Sequence, residues 1–194
     1  MKKSRFPILI AGSLIALFAV AVLAFEPFSN FGSKSVPIAA TGTVQAIFTP
    51  GDDAGKLIVD AINSAHRQIL VQAFSFTHRK IAEALIAAKR RGVEVSVVAD
   101  REQTRSVPTS VVADIAAGGV PVFIDAEHTS AHNKVMVIDA GTPEATLITG
   151  SFNFTQAAQY KNAENVLVLR GNAALTDLYL KNWQRHREHS QPYR

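Results

Sequence analysis

The sequence predicts an α/β fold, a sheet covered by helices on both faces. Three observations carry this: runs such as Val93–Ala99 that are apolar at nearly every position, stretches such as Arg79–Arg91 with apolar residues at helical spacing, and the alternation of the two kinds along the chain. A strand apolar on both faces suits a sheet with no wet side.

The first strand is expected over Thr43–Phe48. Pro50-Gly51-Asp52-Asp53 reads as a turn and helix start, after which Leu57, Ile58, Ala61 and Ile62 recur at helical spacing. A strand over Gln68–Phe74 follows, then a helix over Arg79–Arg91 with Ile81, Leu85, Ile86 and Ala88 inside. Its basic end, Lys89-Arg90-Arg91, complements the helix dipole, and Gly92 closes it. Val93–Ala99 is the next strand, Pro108–Ala117 a helix ended by Gly118-Gly119, and Val120–Ile124 a further strand. Arg101 and Arg105 fall in the loop between them. Lys134–Ile138, Ala145–Thr149 and Glu164–Leu169 are three more strands, and a helix from Ala173 to His186 completes the pattern.

Lys2, Lys3 and Arg5 precede an uncharged apolar run from Phe6 to Phe25, the n-region and h-region of an export signal. Val22-Leu23-Ala24 offers a cleavage point before Phe25, so residues 1–24 are expected to be a signal peptide and the protein to be exported, to the periplasm or beyond. The alternative is an uncleaved membrane anchor over residues 6–25, because 20 residues at about 1.5 Å each reach about 30 Å. Residues 25–42, rich in Ser, Gly, Pro and Asn, read as a linker, and 43–194 as one domain.

The whole chain carries 20 basic and 16 acidic residues, but three of the basic ones lie in the leader, which leaves 17 against 16, a net charge of +1. Overall basicity is therefore no argument for nucleic-acid binding, and any basic surface must be local. The absence of cysteine excludes disulfides, thiolate metal sites and a cysteine nucleophile.

The chemistry-bearing stretch is His132-Asn133-Lys134, then Asp139, then Gly150-Ser151-Phe152-Asn153. Two apart on a strand, His132 and Lys134 share a face, and Ser151 and Asn153 repeat that spacing after the next strand, so the two pairs can converge on one phosphate. Asp139 lies an odd number of residues from Lys134 and about 17 Å along the strand, which leaves it between supporting the site and serving the fold. Ser151 has a second reading as the cap of a helix starting near Phe154.

His132-x-Lys134-x4-Asp139 followed by Gly150-Ser151-x-Asn153 resembles the signature of the phospholipase D superfamily. Gly150 to Thr155, Lys161 to Asn165, Ala73 to Thr77, Ala87 to Val93 and Trp183 are similar to its small bacterial endonucleases, so the resemblance spans most of Val44 to His186. It implies a phospholipase D-like mixed β-sheet sandwiched between helices, with one motif per chain. The activity it implies is phosphodiester hydrolysis without metal or cofactor, on DNA and, as a second candidate, RNA, leaving a 5′-phosphate. It assigns His132 as the nucleophile and Lys134 and Asn153 as holders of the nonbridging oxygens. Ser151 would donate a further hydrogen bond, Glu164 would accept the inner N–H of His132, and Asp139 completes the signature.

His78-Arg79-Lys80 repeats His-x-Lys, but Leu85 stands where the Asp belongs and no Gly-Ser-x-Asn follows, so it is a chance match. One motif per chain implies a homodimer sharing one site across a two-fold axis. Two histidines so close titrate as a pair, which predicts a bell-shaped pH profile. The ten residues Ala140–Thr149 exceed the usual family spacing, and Gly141-Thr142-Pro143-Glu144 reads as a turn that lengthens a hairpin without moving Ser151.

Arg101, Arg105 and His128 are candidate contacts to a nucleic-acid backbone, against a bland reading as solvated loop residues. Phe74, Phe76, Phe152 and Phe154 are expected in the core. Two other functions compete. One is a membrane-anchored single-motif phospholipase or RNA nuclease, whose relatives carry a cysteine-containing zinc element that this chain lacks. The other is a nucleic-acid-binding module without catalysis, against which the intact His132, Lys134, Asn153 and Glu164 argue.

Overall fold

Fourteen short elements build the domain in the computed structural model, which describes residues 37–194; the expected export signal or anchor lies outside the described residues, as does most of the linker. In chain order they are β1 (Thr43–Thr49), α1 (Ala54–Asn63), β2 (Gln68–Ala73), α2 (Arg79–Arg90), β3 (Glu94–Asp100), α3 (Arg101–Ser106), α4 (Val112–Ala117) and β4 (Val122–Asp125). Then come β5 (Lys134–Ile138), β6 (Thr146–Gly150), α5 (Gln156–Tyr160), β7 (Glu164–Arg170), α6 (Ala173–His189) and β8 (Gln191–Pro192). The sheet runs β1-β7-β6-β5-β2-β3-β4-β8. β2 pairs in parallel with β3 and β3 with β4, while the other neighbours are antiparallel, so the sheet is mixed.

Residue alternation on the strands sorts two cores. Ile69, Val71 and Ala73 of β2, with Met136 and Ile138 of β5, join Ile58, Ile62, Ile81, Leu85 and Ile115 from α1, α2 and α4. Leu70, Val98, Val135, Val137 and Leu147 face the other way and join Trp183 of α6. Trp183 is nearly buried, and its indole N–H donates to the Val71 carbonyl at 3.0 Å, which satisfies the one polar atom that burial would strand. Each large apolar side chain so buried contributes roughly 1.5–3 kcal/mol.

Local polar contacts set the element ends. Asp53 caps α1, its carboxylate accepting from Lys56 N–H at 2.9 Å. Arg91, just past α2, reaches across to donate to the carbonyls of Ile62 and Asn63, so the basic end of one helix caps the last turn of another. Arg101 and Arg105 sit on a helix rather than in the expected loop. Asp100 starts that helix by accepting from Gln103 N–H at 2.8 Å, while its own carbonyl takes the Thr104 hydroxyl at 2.6 Å. The helix expected over Pro108–Ala117 begins only at Val112, because Val111 N–H is drawn to the Phe76 carbonyl at 3.0 Å. The two-residue β8 is an addition to the predicted pattern, and α5 is the short helix expected near Phe154, begun at Gln156. Among the described residues, no helix is long and apolar enough to cross a membrane.

Register gathers one rim of the sheet. Ala73 lies opposite Lys134 and beside Ala99, Val135 opposite Thr149, Gly150 opposite Val166, Thr49 opposite Glu164, and Asp100 beside Asp125. The C-terminal ends of β1, β2, β3, β4 and β6 therefore meet the starts of β5 and β7. Gly150 makes the turn at that rim possible. Its φ is +150°, and a Cβ there would lie 2.3 Å from the Asn165 carbonyl oxygen, which accepts from Ser151 N–H at 3.1 Å. Gly150→Ala is expected to cost about 2 kcal/mol or more and to lower the midpoint of thermal unfolding by several degrees, since backbone rather than a flexible side chain must yield.

Candidate active site

Lys134 opens β5 with its side chain turned to the α1–α2 face and only 7% of its surface exposed. Its ammonium donates to the His132 carbonyl at 2.8 Å and stands 4.7 Å from the centre of the Phe74 ring. That ring in turn lies 4.3 Å from the His132 imidazole. Phe74 is thus a shared bed for the two reactive side chains, not the core residue expected from its apolarity; Phe76, Phe152 and Phe154 are the ones that are buried. Burial pushes the Lys134 ammonium down to about 8, against the pull of Glu164 and Asp100, which favour its charge.

His132 precedes β5, so strand parity does not govern it; the Lys134 bond to its carbonyl joins the two residues. Its ring is exposed and open to a substrate. The approach loop is anchored by Asp100, which is 2% exposed and accepts from Ala131 N–H at 2.9 Å. Sequence reasoning overlooked Asp100; an acid ending a buried apolar strand beside a site was the available signal.

On the facing strands, Ser151 and Glu164 form one clasp. The Ser151 hydroxyl donates to the Glu164 carboxylate at 2.6 Å and accepts from Asn165 N–H at 3.0 Å, and Asn162 holds the other carboxylate oxygen at 2.9 Å. Two expectations change here. Glu164 serves Ser151 and Asn162, and it makes no hydrogen bond with His132 among the described residues. The one proton of the Ser151 hydroxyl is already given to Glu164, so its donation to a phosphate would require that bond to break. Nor does Ser151 cap a helix: α5 is capped by Thr155, whose hydroxyl accepts from Ala158 N–H at 3.1 Å. Asn153 lies in the loop between, with its side-chain amide oxygen Oδ1 buried and unpartnered. Such a group costs about 1–3 kcal/mol unless something completes it, which is tolerated chiefly at functional sites.

Asp139, included in the signature, is not part of this rim. It sits at the far end of β5 with φ +49°, and its carboxylate accepts from the backbone N–H groups of Arg67 at 2.7 Å, His66 at 2.8 Å and Gln68 at 2.9 Å. Burial raises its carboxyl, but the amides of Gln68, His66 and Arg67 outweigh burial and hold it below the ordinary carboxylate range. Asp139 is a fold charge that pins the start of β2 to the β5–β6 turn. Asp139→Ala should cost about 2–4 kcal/mol and Asp139→Asn about half of that, read as the midpoint of thermal unfolding at neutral pH. Because the folded pKa is depressed, this stabilisation is complete above the unfolded value of about 3.9 and disappears as pH falls through the lower folded value; the variants should lose that part of the acid limb.

Arg101 and Arg105 are exposed and line a groove of about 490 Å³ with Ile124, Tyr193 and Arg194, two to three strand positions along the same rim. His128, the third expected contact, instead turns its ring to the buried Asp125 at 3.2 Å. His78 of the chance match is 4% exposed and sits at the start of α2.

The chain is similar to several known proteins in sequence and fold. The family model described as cardiolipin synthase, phospholipase D-like domain matches residues 58–187. A protein named phospholipase D from Rickettsia bellii is 40% identical over 140 residues, covering 72% of this chain and 67% of its own. A mitochondrial cardiolipin hydrolase from Xenopus laevis is 28% identical over 92% of this chain and 78% of its own. Among solved structures, the phospholipase D family member Nuc from Salmonella typhimurium superposes with a TM-score of 0.73 at 37% identity, over 79% of this chain and 99% of that one. NucT from Helicobacter pylori shares the fold, with a TM-score of 0.71 at 21% identity over 79% of this chain and 100% of that one.

A mixed sheet with a histidine, a desolvated lysine and an amide at one rim defines, with these relatives, a phosphodiesterase. The chain belongs to the phospholipase D-like family.

Proposed function

We propose that this protein is a metal-independent endonuclease, acting on DNA and with RNA as a second polymer, at a site completed by two copies of the chain. The observation that carries the polymer reading is the open, polar rim: an exposed His132 continues along the sheet edge into the groove of Arg101, Arg105 and Arg194, which suits a long polyanion drawn in by its phosphates. In the reaction the outer nitrogen of His132 forms a bond to phosphorus, and the bond to the 3′-oxygen breaks. That oxygen takes a proton from the same histidine of a second copy, and water then opens the phosphohistidine to leave a 5′-phosphate. Lys134 and Asn153 hold the nonbridging oxygens while negative charge builds on them. An export signal over residues 1–24 would deliver the enzyme outside the cytoplasm, and an uncleaved anchor would leave it on the membrane.

The phospholipase D name of the Rickettsia relatives favours a second reading, in which a phospholipid head group is the substrate. One assay separates the two. Single- and double-stranded DNA, RNA and phosphatidylcholine vesicles are offered in EDTA, with His132→Ala as control. Cleavage of nucleic acid with little turnover of lipid is expected; lipid turnover alone would reject the nuclease reading, and no turnover of any of them until a divalent ion is restored, in a chain whose fold and unfolding midpoint EDTA has left unchanged, would reject the metal-independent mechanism.

A further inference from the structure

Four metal-ligating side chains meet at the end of β4, away from His132 and unused by the proposed chemistry: Asp125, His128, His186 and His189. Asp125 closes the strand and is fully buried. His128 comes from the loop that leads to His132, and His186 and His189, three apart on the last turns of α6, present one face to both. Their candidate ligand atoms all lie within 4.8 Å of one another. From one Asp125 oxygen the ring nitrogens stand at 2.8 Å for His186, 3.1 Å for His189 and 3.2 Å for His128.

Protons alone would divide the three rings between the two carboxylate oxygens, since His128 Nδ1 stands 3.2 Å from each and His186 and His189 take the two lone pairs of one. A cation at the centre engages all four side chains at once, each nitrogen and one oxygen directing a lone pair at the ion. Three imidazoles and one carboxylate are a zinc donor set, and tetrahedral ligation at about 2.0–2.2 Å places ligand atoms about 3.4 Å apart, close to the spacings around Asp125. A second carboxylate supports the same reading. His189 turns Nε2 to Asp125 and leaves Nδ1 3.7 Å from a Glu127 oxygen, beyond a hydrogen bond but close enough to add negative charge beside the cluster.

We propose that Asp125, His128, His186 and His189 bind one zinc ion. The ion ties the end of α6 and the adjoining β8 to the loop running from Asp125 toward His132. It lies three strand positions from Lys134, roughly 14 Å along the rim, so it braces the site without touching the phosphate. The sequence signal is a pair of matching spacings, Asp125-x2-His128 and His186-x2-His189.

The test uses the purified full chain, stripped with chelator and then dialysed against zinc or cobalt(II). One zinc per chain is expected, together with the intense visible absorption of tetrahedral cobalt and a rise of roughly 10 °C in the unfolding midpoint at a thousandfold excess over Kd. His189→Gln, at a half-exposed position that should not compromise folding, and His186→Ala/His189→Ala should weaken binding by more than about 100-fold, whereas His66→Ala, remote from the cluster, should bind as the parent does. Absence of the cobalt bands in the parent chain overturns the site. So does zinc retained equally by His189→Gln, or zinc lost in His66→Ala. None of these readouts depends on cleavage, so they stand whichever substrate the enzyme takes.

Discussion

His132→Ala is expected to lower the rate of phosphodiester cleavage by at least about a thousandfold while leaving substrate affinity nearly unchanged. Loss of a nucleophile removes the covalent route altogether, and the comparable loss in other enzymes reaches about a millionfold. The variant is a clean one. The ring is exposed, and Lys134 bonds to the backbone carbonyl of residue 132 rather than to its side chain, so the ammonium keeps its place. Single-turnover cleavage and a separate binding titration read the two quantities. Unchanged cleavage rejects His132 as the nucleophile. The shared-site proposal has its own arithmetic: subunit exchange between equal amounts of parent and variant chains should leave about a quarter of the activity if both histidines are needed, against about half if each chain works alone.

The second large effect belongs to Lys134. Lys134→Met should reduce kcat by about 100- to 1,000-fold, the usual cost of one transition-state donor. Burial has moved its ammonium to about 8 from an ordinary 10.5, so activity should fall on the alkaline side with a midpoint near pH 8. Stability should move the opposite way. Between about 8 and 10.5 the unfolded chain holds this proton and the folded chain does not, so this residue's contribution to stability rises with pH through the window in which activity is lost. Alkaline inactivation with an undiminished unfolding midpoint would mark titration of the site rather than unfolding. Lys134→Arg, which keeps its charge, should lose that alkaline limb along with part of its rate. A midpoint that stays near 8 in Lys134→Arg would assign the limb to another group.

Much of the fold was legible from periodicity. Seven of the strands and the longer helices carry apolar residues at periods of 2 or 3.6, because each must bury a face. What escaped has no such face. Arg101–Ser106 buries none of its residues and is a helix because Asp100 caps it, and β8 is two exposed residues held by pairing with β4. At the candidate site, His132, Lys134 and Asn153 were singled out from local spacing. Parity raised the possibility that Asp139 serves the fold, and the three amides on its carboxylate give the reason. The contacts of Glu164 and His128 could not be read in the same way. Glu164 depends on which side chain the facing strand brings within 3 Å or so; Asp125, which holds His128 at 3.2 Å, is only three residues away, but its burial at the end of β4 is set by the sheet and by α6.

The β5–β6 turn, with its extra residues and its Asp139 clasp, lies at the end of the sheet opposite every group assigned to chemistry or zinc. The molecule has a working edge and a handle. A fluorophore or tether placed on the exposed Gly141, Pro143 or Glu144 would leave the approach to His132 unobstructed, and two chains that met at their working edges would carry their handles on the outside. Separation between labels at that turn would then measure assembly directly, in a protein still free to bind and cut.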